Sequence, residues 1–200
     1  MSLIYIEYIS RRPGVELAEF HQTFLQVQAG WESGYSEDQL LVNAARTWRL
    51  GPEPEYFTVW YSPNASFDRI DEWERIFRAR GYESQIRQVA RMDFAGCYDV
   101  LRPPARVTGG IYYVEMFGTV GTNEAIRHFY EQRTHNHQQF QLALLMRRIG
   151  RLGPDPGGLA LWTLPNYAAL EEIAADLDGV TDPVAGGTAG VYVDVGREIL

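Results

Sequence analysis

The chain has 200 residues, 46% of them hydrophobic and 13% aromatic, with a formal net charge of −8. That length suits one large domain or two of about 100 residues each, and the composition supplies a sizeable core rather than a disordered chain. The acidic balance argues against a nucleic-acid partner, whose binders need a basic footprint, and no apolar run of about 18 residues is present to span a membrane.

The chain enters a strand almost at once. Ile4 to Ile9 alternates in the period-2 pattern of a half-buried strand, and Arg12-Pro13-Gly14 ends it. This opening lacks a basic n-region, so it is read as the start of the fold and not as a signal peptide. Glu16 to about Gln28 is expected to be helical, with Leu17, Phe20, Phe24 and Val27 on one face. Ala29 to Asp38 reads as a polar excursion, Leu41 to Leu50 as a second strand, and the stretch ending in Trp60 as a third. Asn64 to Arg80 is a second helix, with Ser66 as its N-cap. Tyr82 to Met92 is a short helix or loop, and Phe94 to Leu101 a fourth strand.

After the linker Arg102 to Gly110, whose prolines stiffen it and whose glycines loosen its end, the order restarts. Ile111 to Phe117 is a strand, Asn123 to about Gln139 a helix capped by Thr122 or Asn123, and Leu142 to Leu152 and Leu159 to Thr163 are strands. Asn166 to Asp178 is a helix, and a last strand is built around Ala189-Gly190-Val191-Tyr192, which mirrors Ala95-Gly96-Cys97-Tyr98.

One stretch occurs twice. Arg49-Leu50-Gly51-Pro52-Glu53-Pro54 leads to Trp60 and Pro63; Arg151-Leu152-Gly153-Pro154-Asp155-Pro156 leads to Trp162 and Pro165. Seven identities stay in register over 15 residues at a constant offset of 102. Gly-Pro-acid-Pro is turn chemistry, because Pro fixes φ and Gly reaches angles other residues avoid. Each copy is a turn feeding a buried strand. The chain therefore divides into residues 1–101, a linker 102–110 and residues 111–200, each half ordered β-α-β-β-α-β. That is an α+β fold of tandem ferredoxin-like repeats. Each half has one bare sheet face in need of cover. Two halves on one chain can provide it by closing face to face into one α+β barrel, with four helices outside.

Tyr5-Ile6-Glu7-Tyr8-Ile9 followed by Arg12-Pro13-Gly14 and Glu19-Phe20 resembles the opening of NIPSNAP-family domains. Leu50-Gly51-Pro52 leading to Val59-Trp60-Tyr61, and Leu152-Gly153-Pro154 leading to Leu161-Trp162-Thr163, look like the same family's second signature. The resemblance implies the dimeric α+β barrel shared with EthD-like proteins and small antibiotic-biosynthesis monooxygenases. It carries no catalytic motif, and the second half departs from the opening signature at Phe117-Gly118-Thr119-Val120-Gly121.

Candidate chemistry begins with strand parity. Ile4, Ile6 and Tyr8 share one face and Tyr5 and Glu7 the other; Tyr112, Val114 and Met116 oppose Tyr113, Glu115 and Phe117. Assigning the apolar set to the helix-covered face sends Glu7 and Glu115 into one barrel cavity as paired carboxylates, where an apolar setting raises a carboxyl's pKa for proton transfer. The bland alternative pairs each Glu with an interior arginine, Arg49 or Arg151. His135 and His137, near the end of the third long helix, are candidate proton shuttles, since EthD-like proteins resemble this in having a helix-end histidine. Either could also ligate haem from one side, although solvated helix-end histidines are common. Two histidines without companions make no zinc site. Trp60 and Trp162 are candidate ligand-lining residues or simple core, and the arginines Arg46, Arg49, Arg147, Arg148 and Arg151 crowd the second strands. The single cysteine, Cys97, excludes an internal disulfide and fits a reducing, cytoplasmic compartment. All 18 basic residues are arginine, which excludes Schiff-base chemistry.

These readings converge on a small-molecule-binding barrel. The leading expectation is a cofactor-independent oxygenase or isomerase acting on a small hydrophobic or aromatic substrate. Glu7, Glu115 and His137 would move protons there, and Tyr5, Tyr113, Trp60, Trp162, Arg49 and Arg151 would line the site. A b-type haem enzyme and a non-catalytic interaction module are the alternatives, and the barrel could associate further as a homodimer.

Overall fold

A computed structural model describes residues 2–34, 37–47, 50–51, 55–104, 110–118, 121–136, 140–150, 156–177 and 187–195. Arg49, Arg151, His137 and most of both Gly-Pro-acid-Pro turns lie outside them.

The first half contains β1 (Leu3–Arg11), α1 (Leu17–Gly34), β2 (Gln39–Arg46), β3 (Tyr56–Ser62), α2 (Phe67–Ala79), α3 (Tyr82–Val89) and β4 (Ala90–Arg102). The second contains β5 (Ile111–Phe117), α4 (Asn123–Asn136), β6 (Gln141–Arg148), β7 (Gly158–Leu164), α5 (Ala169–Leu177) and β8 (Thr188–Asp194). The expected order holds, with two differences. α1 continues through most of the stretch read as a polar excursion, because Trp31 extends the buried face of Phe20, Phe24 and Val27 by another turn. Tyr82 to Met92 resolves into α3, entered from Gly81 in the left-handed conformation, and the start of a longer β4. Thr122 Oγ1 accepts from the Ala125 N–H and caps α4, whereas Ser66 stands at the N-cap of α2 without a side-chain capping bond. Among the described residues no helix is long and apolar enough to cross a membrane.

The eight strands form one closed antiparallel barrel in the order β1-β3-β2-β8-β5-β7-β6-β4. The order within the first half is β4-β1-β3-β2 and within the second β8-β5-β7-β6, so each half places its first strand centrally. The halves join edge to edge through β2–β8 and β4–β6. Full closure removes every free strand edge from the wall.

The interior takes side chains from all eight strands: Ile4, Ile6 and Tyr8 meet Val42, Phe57, Tyr98, Val114, Leu144, Leu161 and Tyr192, among others. This reverses the parity assignment made from sequence. The apolar set fills the barrel, and Tyr5, Glu7, Tyr113 and Glu115 point outward under the helices. The closed interior is walled on every side by strands, so it takes the more apolar parity. β1 and β5 stand four places apart in a ring of eight, so Glu7 and Glu115 lie on opposite sides of the barrel and share no cavity. Arg46 and Arg148, at the far ends of their strands, pair in register with Tyr192 and Tyr98.

The repeated Leu-Gly-Pro motif has a packing consequence at its first copy. The Leu50 carbonyl accepts from the Val191 N–H, and Gly51 at φ +126° lies so close to β8 that a Cβ would fall 2.5 Å from the Gly190 Cα. Both the backbone angle and the contact require glycine. Gly51→Ala is expected to cost about 1–3 kcal/mol, as overpacking against unyielding backbone does. Urea unfolding would read this as a lower midpoint at unchanged slope. An unchanged midpoint would show that the seam between the halves relaxes freely.

Candidate functional site

Under the first-half helices lies a cavity of about 330 Å³, between β1 and β3 on one side and α1, α2 and α3 on the other. Its walls are rich in aromatic side chains, with Phe24 and Trp31 from α1, Trp60 from β3 and Trp73 and Phe77 from α2. Glu7 lines it from β1. One carboxylate oxygen of Glu7 accepts from Thr58 Oγ1 at 2.8 Å and from the Trp60 indole N–H at 3.3 Å. Burial raises the Glu7 carboxyl above its ordinary value, and those two hydrogen bonds oppose the rise. Among the described residues no cation bonds to it. Tyr5, beside it, is also held protonated far above the usual phenol range by burial and by the neighbouring Glu7.

Asp38, just before β2, is a second carboxylate lining the cavity. It is 5% exposed, and neither oxygen has a hydrogen-bond partner. Burial raises its pKa; the Ser62 hydroxyl and Trp31 indole lie close enough to soften this but outside hydrogen-bond geometry, and Arg69, itself bonded to Glu37, contributes at longer range. Gln28 Nε2, Ser62 Oγ and Trp73 Nε1 are further buried polar atoms of the cavity wall without partners. Open donors and acceptors therefore line this cavity wall, where buried polar groups are ordinarily satisfied. The described cation on the rim, Arg78, is bonded to Glu74 and lies 3.4 Å from Glu83.

The corresponding space in the second half is closed. Glu115, 8% exposed, is bonded to Arg133 of α4 at 2.8 Å. The Arg133 guanidinium sits 5.2 Å from the Trp162 ring centroid and 5.6 Å from those of Phe129 and Tyr130. Burial raises the Glu115 carboxyl above its ordinary value, as it does Glu7, and here the Arg133 charge opposes the rise. Trp162 is fully buried against Tyr130 and Phe140, and Tyr113 joins the same cluster. The bland reading therefore fits Glu115, with an arginine the sequence reading did not name. For Glu7 the described residues offer only the neutral donors Thr58 and Trp60, and Arg49 and Arg151 lie outside them.

The helices show why. Ile126, Tyr130 and Arg133 are buried along α4 at the spacing of Phe20, Phe24 and Val27 along α1. Aligned from the helix starts at Leu17 and Asn123, Val27 corresponds in sequence to Arg133. Val27 and Glu7 both line the cavity, and among the described residues no cation stands between them.

Of the residues singled out from sequence, Glu7, Tyr5 and Trp60 come together at the cavity; Glu115, Tyr113 and Trp162 form the closed cluster instead. His135 is exposed on α4, and His128, also exposed, bonds Gln132. His21 packs edge-on to Tyr56, with its pKa lowered by burial and by Arg11. Burial pushes the Cys97 thiol up, as for an inert core cysteine. Sequence reasoning missed Asp38, Gln28, Ser62, Trp31 and Trp73. The signal for Trp31 was present, since it continues the 20, 24, 27 spacing of α1.

Haem does not fit this cavity. Among the described residues no histidine or cysteine lines it, and its buried polar wall offers carboxylates where propionates would need cations. Among the described residues no group of three or more His, Cys, Asp or Glu could hold a metal ion.

No family model matches the chain, and no curated protein matches its sequence. Solved structures do match. A protein assigned as a monooxygenase from Fusobacterium nucleatum is similar at a TM-score of 0.63 and 9% identity, over 98% of this chain and 93% of that one. A protein assigned as a chlorite dismutase is similar at 0.61 and 14%, over 96% and 95%. An anthrone oxidase-like protein is similar at 0.54 and 8%, over 98% and 91%. At these identities the likeness shows the fold alone, an eight-stranded closed α+β barrel consistent with the dimeric α+β barrel expected above.

Proposed function

We propose that the chain is a cofactor-independent enzyme, of oxygenase type, acting on a small aromatic substrate held between the first-half sheet and α1, α2 and α3. The observation that carries this is Glu7: a carboxyl in an aromatic cavity, with no cation bonded to it, while its counterpart Glu115 is locked to Arg133. Its two hydrogen bonds fix one oxygen and leave the other for the ligand. A cavity of about 330 Å³ lies within the usual small-ligand range of about 300–1,000 Å³, which supports catalysis or ligand binding over a plain interaction module. The neighbours assigned as monooxygenase and anthrone oxidase-like agree with that class of chemistry.

In this reading the barrel is a tandem pair of ferredoxin-like repeats, and the NIPSNAP resemblance of both halves belongs to the same proposal. One repeat keeps the site and the other supplies the closing surface. Glu7 in its ionised form removes a proton from an acidic ring C–H of the substrate. The resulting carbanion reacts with dioxygen, the oxidant. At a ring CH₂ one oxygen atom becomes the carbonyl, and the other leaves with the two hydrogens as water. Trp60 and Thr58 hold the carboxylate, and the aromatic walls keep water out.

An anthrone-type probe with dissolved oxygen tests this. Wild-type protein is expected to consume oxygen and form the quinone, and Glu7→Gln to lose about 10²–10⁴-fold in rate, the usual worth of a positioned base. The rate is expected to rise with pH through a value above 4.5, because burial raises the group that must ionise. Glu7→Gln lacks that limb. A folded Glu7→Gln variant with wild-type turnover would end the assignment.

A further inference from the structure

The chemistry of the cavity wall also constrains what it accepts. We infer that the ligand of the first-half cavity carries a protonated amine on an aromatic body, with Asp38 as the group that receives the amine. The inference rests on the cavity being a ligand site, as proposed above, and adds the charge of the ligand to it.

The observations are of three kinds. First, both acidic groups of the buried wall face the cavity without a bonded cation. Glu7 is engaged only by neutral donors, and Asp38, 5% exposed, has both oxygens unpartnered. A buried carboxylate in this state costs free energy until a charge or donor arrives. Second, Arg78 at the rim is committed to Glu74 and Glu83, and Arg69 to Glu37. An anionic ligand would meet two carboxyls and no free cation among the described residues. Third, Trp31, Trp60 and Trp73 line the same space, and aromatic faces attract ammonium groups through the ring quadrupole. The open Ser62 hydroxyl adds an acceptor beside Asp38.

The two carboxylates then divide the work. Glu7 already holds two donors on one oxygen and keeps the other for proton transfer. Asp38 has both oxygens open, so it anchors the ammonium group and fixes which end of the substrate lies against Glu7.

Phenethylamine, 2-phenylethanol and 3-phenylpropionate share a ring and differ in charge. Their binding can be read by quenching of tryptophan fluorescence and by titration calorimetry on the full-length protein. The amine is expected to bind at least tenfold more tightly than the alcohol, and the acid more weakly than either. Asp38→Asn is expected to remove most of the preference for amine over alcohol while leaving alcohol binding within about threefold, a tenfold change being about 1.4 kcal/mol. If the alcohol or the acid binds wild type as tightly as the amine, the amine inference is overturned and the cavity reading stands. If Asp38→Asn keeps the full amine preference, the anchor is misassigned. If none of the three binds at millimolar concentration, the cavity is not a site for such ligands and both readings fall together.

Discussion

Glu115→Gln is expected to destabilise the protein by about 3–5 kcal/mol, the cost of leaving one member of a buried ion pair without its partner. At roughly 2–4 °C per kcal/mol for a domain of this size, calorimetry should show a melting temperature about 10 °C lower. The charge left behind is Arg133, held among Phe129, Tyr130 and Trp162 with its guanidinium out of water. Glu115→Gln combined with Arg133→Met should recover much of the loss, because no unpaired charge is then left buried. A double variant as unstable as the single one would show that the pair acts through geometry rather than charge.

The same substitution at the pseudo-equivalent position has the opposite expected sign. The Glu7 carboxyl has a folded pKa raised above its ordinary 4.5. The folded state therefore keeps its proton to higher pH than the unfolded chain does, and the stability contributed by Glu7 falls as pH rises from about 4.5 through the raised value. Glu7→Gln removes that penalty, so it should leave the melting temperature unchanged at pH 4 and raise it at neutral pH. The two glutamates are thus expected to respond to the same substitution with opposite signs, as the proposed roles require.

Val27→Arg is the second large effect. It puts an arginine at the α1 position that matches Arg133 of α4, with Phe24 and Trp60 standing where Tyr130 and Trp162 stand around Arg133. The new guanidinium is expected to bond Glu7 and occupy part of the 330 Å³ cavity. Phenethylamine binding should fall by more than tenfold and oxygen uptake with the anthrone probe should vanish, while the protein melts no lower than wild type. Unchanged binding in a folded Val27→Arg variant would mean that the two helices are not matched as their burial spacing indicates. Ordinary insertion of a charge at a 4% exposed valine would unfold the protein outright, so the retained melting temperature distinguishes a filled site from a damaged core.

Much of the architecture was legible in the chain itself. The repeat around Trp60 and Trp162, the alternation of Ile4 to Ile9 and the helical spacing of Phe20, Phe24 and Val27 are local patterns, and local patterns report secondary structure directly. Duplication then implied that two bare sheet faces cover each other. The order β4-β1-β3-β2, repeated as β8-β5-β7-β6, agrees with that reading. The place of the site was not legible. Parity separates Ile4, Ile6 and Tyr8 from Tyr5 and Glu7, but both faces of β1 are buried, so alternation cannot say which lies inside. That depends on what covers each face. The barrel interior took the apolar parity, and so Glu7 and Glu115 went to separate places under the helices.

Sequence by itself determined the element order, the twofold repetition and a pair of strand carboxylates at matched positions, because each is written in neighbouring residues. Only tertiary structure decided that one carboxylate meets an arginine and the other an open cavity. Arg133 and Val27 are 18 and 20 residues from the glutamates they govern, on helices whose rotation about their axes is set by packing against the sheet. No local pattern encodes which of their side chains will stand over a given strand residue.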